Sequence, residues 1–293
     1  MIPTQNIIAW SKVAPWAEPR QVEQDLIIVR ALVVLFNDPF LRDELRIRGG
    51  TALNKLHFPK PLRYSEDIDL TRTKEGASKP IWDRVHDLLD PWLGDPEYFR
   101  SRVAPALRYT VPAEDGSAPI RLKIEINEVE IAPFDAPQTL PFKVDNPWFS
   151  GSADIPTFST EEVLSTKLRA LLQRNKGRDL VDLAHALDIY PKLDVQRTVD
   201  MFVEYVKKTP IPRWEAEKRM FEKLERRGFL ADVHPLLAAD ARAYFDDAAG
   251  KHAFQRVFEG LIAKIPGKAW ATTPDLLKKY RFDDGTAKPE RRQ

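Results

Sequence analysis

A glycine pair, Gly49-Gly50, opens a short helical pattern, and a strand pattern bearing two acids follows it. Two prolines end the helical pattern, and residues 62–70 then alternate as a strand does, with Asp67 and Asp69 on one face. The chain thus places a glycine turn, a helix and an acidic strand in succession. This order predicts a mixed α+β fold for the N-terminal half, because a helix and a strand bury their apolar faces by packing against each other.

These segments carry groups that suit phosphate and metal chemistry. The free backbone N–H groups at a helix start bind anions. Two acids at i and i+2 of a strand project from the same face, about 6.5–7 Å apart, and can share cations. Glu125 lies on a second predicted strand, Ile120–Ile131, with apolar residues on both sides. Each feature alone also fits an ordinary turn or a polar strand face, so the indication comes from their combination.

The pattern changes along the chain and predicts two domains. A proline-punctuated stretch from Pro133 to Pro156 is interpreted as an inter-domain crossing. Ser159 to Glu162 forms a capping box, after which the pattern is helical. We therefore predict an α+β domain over residues 1–150 and a helical domain over residues 151–293, which completes the active site and binds substrate.

The composition excludes several classes of protein. The chain has no cysteine and five histidines, none spaced as a ligand pair, which argues against disulfides, thiolate metal sites and zinc enzymes. Any metal would have to be held by carboxylates. No long apolar run or secretory signal is visible, so we expect a cytoplasmic protein with no membrane partner.

Charge is distributed unevenly between the two halves. Residues 1–150 carry 19 Lys and Arg against 22 Asp and Glu, whereas residues 151–293 carry 26 against 22. This asymmetry suits an enzyme that holds cations in one half and a phosphate-rich partner in the other, and it equally suits two ordinary solvated surfaces.

Five segments together resemble the AbiEii/AbiGii toxin family of nucleotidyltransferases, within the superfamily of DNA polymerase beta. They are Gly49–Leu53, Arg63–Leu70, Lys123–Asn127, Thr166–Leu168 and Arg178–Leu183. The resemblance covers roughly residues 20 to 190. It implies a polymerase-beta-like mixed sheet with helices, and the toxin half of a toxin–antitoxin pair, with a cognate antitoxin as partner.

The resemblance also implies roles for individual residues. Asp67, Asp69 and Glu125 would hold two magnesium ions. Nucleoside triphosphate, the substrate, would be bound by Gly49, Gly50, Thr51, Ser65 and Lys167. Asp182 would orient Lys167 or the nucleotide. Without the resemblance, Lys167 would be interpreted as a surface lysine on an amphipathic helix.

We predict a magnesium-dependent nucleotidyltransferase toxin that modifies RNA, most plausibly the 3′ end of tRNA, and inhibits translation. Some family members, the MenT toxins of mycobacteria, act in this way. The candidate RNA-binding residues are Lys176, Arg178, Arg226 and Arg227. One alternative is a small-molecule or protein acceptor. Another, of a different class, is a non-catalytic module that binds RNA or nucleotide.

Ser65 is a candidate control point. It shares a strand face with Asp67 and Asp69, and a phosphate on its hydroxyl would add negative charge where a triphosphate must lie. The alternative is a serine that simply starts a strand.

Overall fold

The alternating apolar residues of the N-terminal half form one mixed β-sheet. We describe a computed structural model of the chain, which covers residues 2–116, 118–226 and 228–282. Its sheet has seven strands in the order β3-β4-β5-β2-β1-β7-β6. The strands are β1 (Leu45–Arg48), β2 (Asp67–Arg72), β3 (Glu97–Phe99), β4 (Ala106–Val111), β5 (Ile120–Asn127), β6 (Gln138–Asn146) and β7 (Phe149–Thr157).

Parallel pairing brings the two predicted acidic strands together. β2 and β5 are parallel neighbours, and β1 pairs in parallel with β7, whereas the other neighbours are antiparallel. The predicted mixed α+β fold is confirmed. The strand expected over residues 62–70 begins only at Asp67, because the preceding residues form a loop held by Asn54, whose Oδ1 accepts from the backbone N–H groups of Leu62 and Arg63.

Helices surround the sheet within the same part of the chain. They are α1 (Thr4–Trp10), α2 (Pro19–Asn37), α3 (Pro39–Glu44), α4 (Gly49–Ala52) and α5 (Lys79–Leu93), and a π-helical turn over Leu53–His57 continues α4. α2 is buried along most of its length because it packs on β5, β6 and β7. Its buried Asp25 is satisfied by Lys55 and by the indole N–H groups of Trp10 and Trp16.

The interpretation of residues 133–156 as an inter-domain crossing is wrong. These residues contain the antiparallel hairpin of β6 and β7, which forms one edge of the sheet. Pro141 lies within β6, and an edge strand tolerates proline because the missing N–H can face away from the ladder. Apolar residues such as Val144 and Ile155 are buried and hold the hairpin to the rest of the unit.

The remaining chain is helical. It contains α6 (Thr160–Gln173), α7 (Gly177–Ile189), α8 (Val195–Tyr205), α9 (Arg213–Glu225), α10 (Ala239–Tyr244), α11 (Asp247–Gly260) and α12 (Thr273–Tyr280). α6 begins at the residue after Ser159, as the capping pattern predicts. Phe221 on α9 packs against Phe254 and Phe258 on α11, with ring centroids 5.4 and 5.3 Å apart.

The chain divides into two compact units. The first comprises Met1–Ser159 together with Leu236–Ala239, and the second comprises Thr160–Pro235 together with Asp240–Gln293. The position 150/151, where sequence places the domain boundary, lies within β7. The segment Leu236–Ala239 belongs to the first unit. There Leu237 forms an isolated β-bridge with Arg63, and Ala238 forms one with Trp16. None of the described helices combines the length and apolar character that a membrane crossing requires.

Candidate active site

The glycine turn lies directly against one of the predicted metal-binding acids. Gly49 follows β1 with a φ of +81°, a conformation that favours glycine. A Cβ atom at this position would overlap the Asp69 carboxylate and lie 3.0 Å from its Cγ atom. At Gly50, a Cβ would lie 2.8 Å from Arg63 Nη2 and 3.0 Å from Ser65 Oγ. Both glycines are therefore required for close packing of the turn against the acidic strand.

A buried hydrogen-bond network connects the turn to the start of β2. The hydroxyl of Thr51, which is fully buried, donates to the backbone carbonyl of Asp67 and lies 2.9 Å from Ser65 Oγ. Asn54 donates to the carbonyl of Gly50 at 3.0 Å. The side chain of Thr51 is thus bonded to the backbone of Asp67. Only the backbone of Thr51 can then contribute to binding a phosphate.

Ser65 takes part in the same network. It is buried, and its Oγ is hydrogen-bonded to Thr51 rather than directed to solvent. Modification of this hydroxyl would require the loop before β2 to open. The regulatory role of Ser65 stays a prediction, and the described conformation gives it no support.

Three predicted acids lie on two neighbouring strands. Asp67 and Asp69 project from one face of β2, and the parallel register pairs Asp69 with Glu125 and Asp67 with Lys123 on β5. The ammonium of Lys123 forms an ion pair with Glu125. Burial alone would lower the pKa of Lys123, but the hydrogen bond and charge of Glu125 and the charges of Asp67 and Asp69 raise it overall. This lysine therefore lies within the field of all three acids.

The acidic group suits a hard divalent cation by its donor type, although its side chains do not converge on one point in the described structure. Across residues 2–116, 118–226 and 228–282, no three Asp, Glu or His side chains converge closely enough to hold a metal ion. Asp67, Asp69 and Glu125 are all oxygen donors, which magnesium prefers.

A cleft of about 600 Å³ opens beside Asp67 within the first unit. The sequence did not indicate this cleft, because its residues come from four separate segments. Its lining includes Arg20, Gln24, Arg108, Arg121 and Lys123. Such a volume accommodates a ligand of nucleotide size.

The second unit contains a buried charged cluster around Lys167. The Nζ atom of Lys167 lies 3.3 Å from Asp179 Oδ1 and 3.2 Å from Asp182 Oδ2, and both aspartates are fully buried. Arg174 Nε also pairs with Asp179 Oδ2 at 2.8 Å. Burial alone would raise the pKa of Asp179, but the charges and hydrogen bonds of Lys167 and Arg174 lower it to about 2. Two carboxylates thus orient one lysine, since Coulomb attraction is strong in a dry setting.

The sequence motifs predicted Asp182 as a site residue and did not predict Asp179. The two acids lie three residues apart on α7 and therefore on one helix face, which is the signal that would have included both. Asp179 lies in the first turn of α7, a common position for a carboxylate near the positive end of the helix dipole.

The predicted RNA-binding residues differ in their surroundings. Lys176 and Arg226 are exposed, and Arg178 is half-buried at the start of α7. Arg226 lines a cavity of about 470 Å³ in the second unit, together with Phe229 and Lys251. Arg227 lies outside the described residues.

Comparison with known proteins gives a family match and several similar folds. Residues 30–259 match the family described as "Nucleotidyl transferase AbiEii toxin, Type IV TA system". The nucleotidyltransferase toxin MenT4 from Mycobacterium tuberculosis H37Rv is 17% identical and has a TM-score of 0.55, over 91% of this chain and 100% of that chain. JHP933 from Helicobacter pylori is 18% identical, with a TM-score of 0.53, over 92% of this chain and 99% of that chain.

A further solved structure, a putative nucleotidyltransferase from H. pylori, is 18% identical with a TM-score of 0.52, over 89% of this chain and 98% of that chain. These identities establish similarity of fold alone. A search of curated proteins found no match.

Proposed function

Because the chain belongs to the AbiEii nucleotidyl transferase toxin family of type IV toxin–antitoxin systems, we propose that it transfers a nucleoside monophosphate from a nucleoside triphosphate to RNA in a magnesium-dependent reaction. The proposed acceptor is the 3′ end of tRNA, whose modification would stop translation. A cognate antitoxin would restrain the enzyme. The observation that carries this proposal is the register that sets Glu125 beside Asp69, at the strand face that adjoins the glycine turn.

The proposed reaction forms one phosphodiester bond and releases pyrophosphate. The acceptor hydroxyl oxygen bonds to the α-phosphorus, the bond from that phosphorus to the bridging oxygen of the β-phosphate breaks, and the hydroxyl proton passes to water. Bound magnesium would neutralise phosphate charge and favour the ionised form of the hydroxyl. Asp67, Asp69 and Glu125 would hold it, with Glu125 nearest to the attacking group. The backbone N–H groups of Gly50 and Thr51 would donate hydrogen bonds to phosphate oxygens.

Lys167 is proposed to contact a nucleotide phosphate. Its ammonium lies between Asp179 and Asp182, which hold it in a single position. A cation fixed in this way needs little reorganisation when negative charge develops on the phosphate, which is the condition for strong electrostatic stabilisation. Asp179 and Asp182 are positioning residues in this proposal.

The test is incubation of the full chain with total RNA, magnesium and each labelled nucleoside triphosphate in turn. We expect label in tRNA, located at the 3′ terminus and abolished when the terminal ribose is first oxidised with periodate. Equal labelling of oxidised tRNA would refute the 3′ hydroxyl as acceptor. Label in protein or in small molecules would favour the alternative acceptors, and the absence of any transfer would favour a binding module.

Matched variants test the acids. Asp67→Asn and Asp69→Asn should abolish transfer and retain the fold, because loss of one of several like charges relieves repulsion. Asp154→Asn is the control, since Asp154 is an exposed acid of the same sheet on β7. Near-normal turnover by either site variant would contradict the assignment of these acids.

A further inference from the structure

One face of the sheet carries a row of four charged residues, two basic residues between two acids, that leads away from the candidate metal site. The strand registers align Asp67 on β2 with Lys123 on β5, Lys123 with Arg108 on β4, and Arg108 with Glu97 on β3. Arg121 lies two residues before Lys123 on β5 and is therefore on the same face. Basic side chains thus begin one strand away from the acid that would hold the metal.

Arg20, at the start of α2, adds a third guanidinium on this side. It lines the 600 Å³ cleft together with Arg108 and Arg121. Its Nη2 donates to the carbonyl of Pro119 at 2.5 Å, and its Nε is buried with no hydrogen-bond partner in the described part of the chain. A buried donor without an acceptor favours an anionic or polar ligand at this position. We name Arg20, Arg108 and Arg121 the arginine strip.

The floor of the cleft is rigid. Gln24 is buried, and its Nε2 donates to the carbonyl of Glu66 at 3.2 Å and to that of Arg121 at 2.8 Å. These two bonds connect α2 to the loop before Asp67 and to the first residues of β5. Gln24 thereby joins the helix that carries Arg20 to the segments that carry Asp67 and Arg121.

We propose that the cleft receives the terminal nucleotide of a single-stranded RNA acceptor, and that the arginine strip binds the phosphates just upstream of it. This inference rests on the proposed function and deepens it, because it places the unpaired acceptor end on β4, β5 and α2 of the first unit and leaves the folded body of the RNA to the basic residues predicted from sequence. A volume of about 600 Å³ suits a single nucleotide better than a duplex, so the proposed acceptor is an unpaired end.

The remaining lining of the cleft suits a nucleoside better than a simple anion. Glu66 and Asp115 place carboxylate oxygens at the cleft, and Glu18 and Gln21, which also line it, bond to each other's backbone in the capping box of α2. These groups complement ribose hydroxyls and base edges, which RNA-binding proteins recognise in unpaired ends. Guanidinium groups complement phosphate oxygens by geometry and by charge.

The experiment measures binding of a fluorescent hairpin RNA with a short single-stranded 3′ end across a series of salt concentrations, without nucleotide. The test variant is Arg108→Gln combined with Arg121→Gln, and the control is Arg42→Gln, at an exposed residue of α3. We expect the test variant to bind about tenfold more weakly at low salt, and its logarithmic salt slope to fall by about 1.4, because each phosphate contact on single strands contributes about 0.7. Arg42→Gln should match the wild type.

Three further readouts separate the possible outcomes. Thermal midpoints of the variants should lie close to that of the wild type, because the contacts that Arg108 makes with Glu97 and Phe99 are at the surface and such pairs contribute little. Affinity for nucleoside triphosphate should be unchanged. If RNA affinity and salt slope are unaltered while the wild type still labels RNA, the placement of the acceptor is refuted and the proposed function stands. If nucleotide affinity falls instead, the strip holds the triphosphate and the inference is wrong. If the wild type labels no RNA, the proposed function fails and this inference with it.

Discussion

Gly49→Ala tests the contact between the glycine turn and Asp69, and the chain offers a matched control. Gly49 and Gly94 have nearly equal φ angles, +81° and +80°. A Cβ at Gly94 would meet no described atom within 4 Å, whereas one at Gly49 would overlap the Asp69 carboxylate. Each substitution costs about 1–2 kcal/mol because an L side chain strains this backbone conformation. The difference between the two variants therefore isolates the effect on Asp69.

The structure gives the size of that effect. A Cβ at residue 49 would lie 3.0 Å from Asp69 Cγ, and carbon atoms pack at about 3.5–4.0 Å, so the carboxylate must move by roughly 0.5–1 Å. Forcing a side chain off its rotamer adds about 0.5–1.5 kcal/mol to the loss of stability. A displacement of this size in a catalytic group lowers turnover on the order of 10²-fold.

Chemical denaturation and single-turnover transfer assays measure the two effects. Gly94→Ala should lose stability and retain normal turnover, whereas Gly49→Ala should lose somewhat more stability and about a hundredfold in turnover. Equal turnover in the two variants would refute the reasoning, because it would mean that the position of the Asp69 carboxylate does not matter for transfer.

Three other predictions concern the charged groups. Lys167→Ala should lower turnover on the order of 10²–10³-fold in transfer assays. It should also destabilise the second unit by about 3 kcal/mol in denaturation assays, because it leaves the buried Asp182 without this cation. Lys167→Arg should restore neither turnover nor stability fully. Burial lowers the pKa of His57 to about 4 from an ordinary 6.5, so the unfolded chain binds the proton first as pH falls. About 3 kcal/mol of stability that is present above pH 6.5 should therefore be lost as the pH falls towards 4. Unfolding measured against pH should show this loss in the wild type and not in His57→Gln. Arg226→Glu should weaken binding of labelled tRNA and leave nucleotide affinity unchanged, and equal tRNA affinity would exclude its predicted role.

Features of the fold that depend on local pattern were predictable from sequence. The alternation along residues 120–127 and the position of Asp67 and Asp69 on one strand face follow from the period of a strand. The start of α6 follows from its capping pattern at Ser159. Each of these inferences uses residues fewer than ten positions apart, where steric and hydrogen-bonding preferences act directly.

Features that join distant segments were not predictable in this way. Prolines in residues 133–156 concealed the β6–β7 hairpin, because proline is compatible with an edge strand only once the edge is known. Leu236–Ala239 returns to the first unit through backbone bonds to residues near 15 and 64, and nothing in its local pattern marks that return. The cleft beside Asp67 escaped prediction for the same reason.

At the candidate site, the register between β2 and β5 is the feature that the sequence alone does not determine. Alternation alone requires Glu125 to share a face with Lys123, and a slip of one residue would direct apolar side chains to that face instead. A slip of two residues, however, preserves the face and moves Glu125 by about 6.6 Å along the strand. That distance exceeds the roughly 3.5–4 Å between two metal ions in a shared site, so only the observed pairing of Asp69 with Glu125 makes these acids neighbours. The same register places Arg108 in the row of Asp67. The chemistry proposed for the three acids therefore follows from residue types, whereas the direction from which an acceptor would reach them depends on strand alignment across about 55 residues of chain.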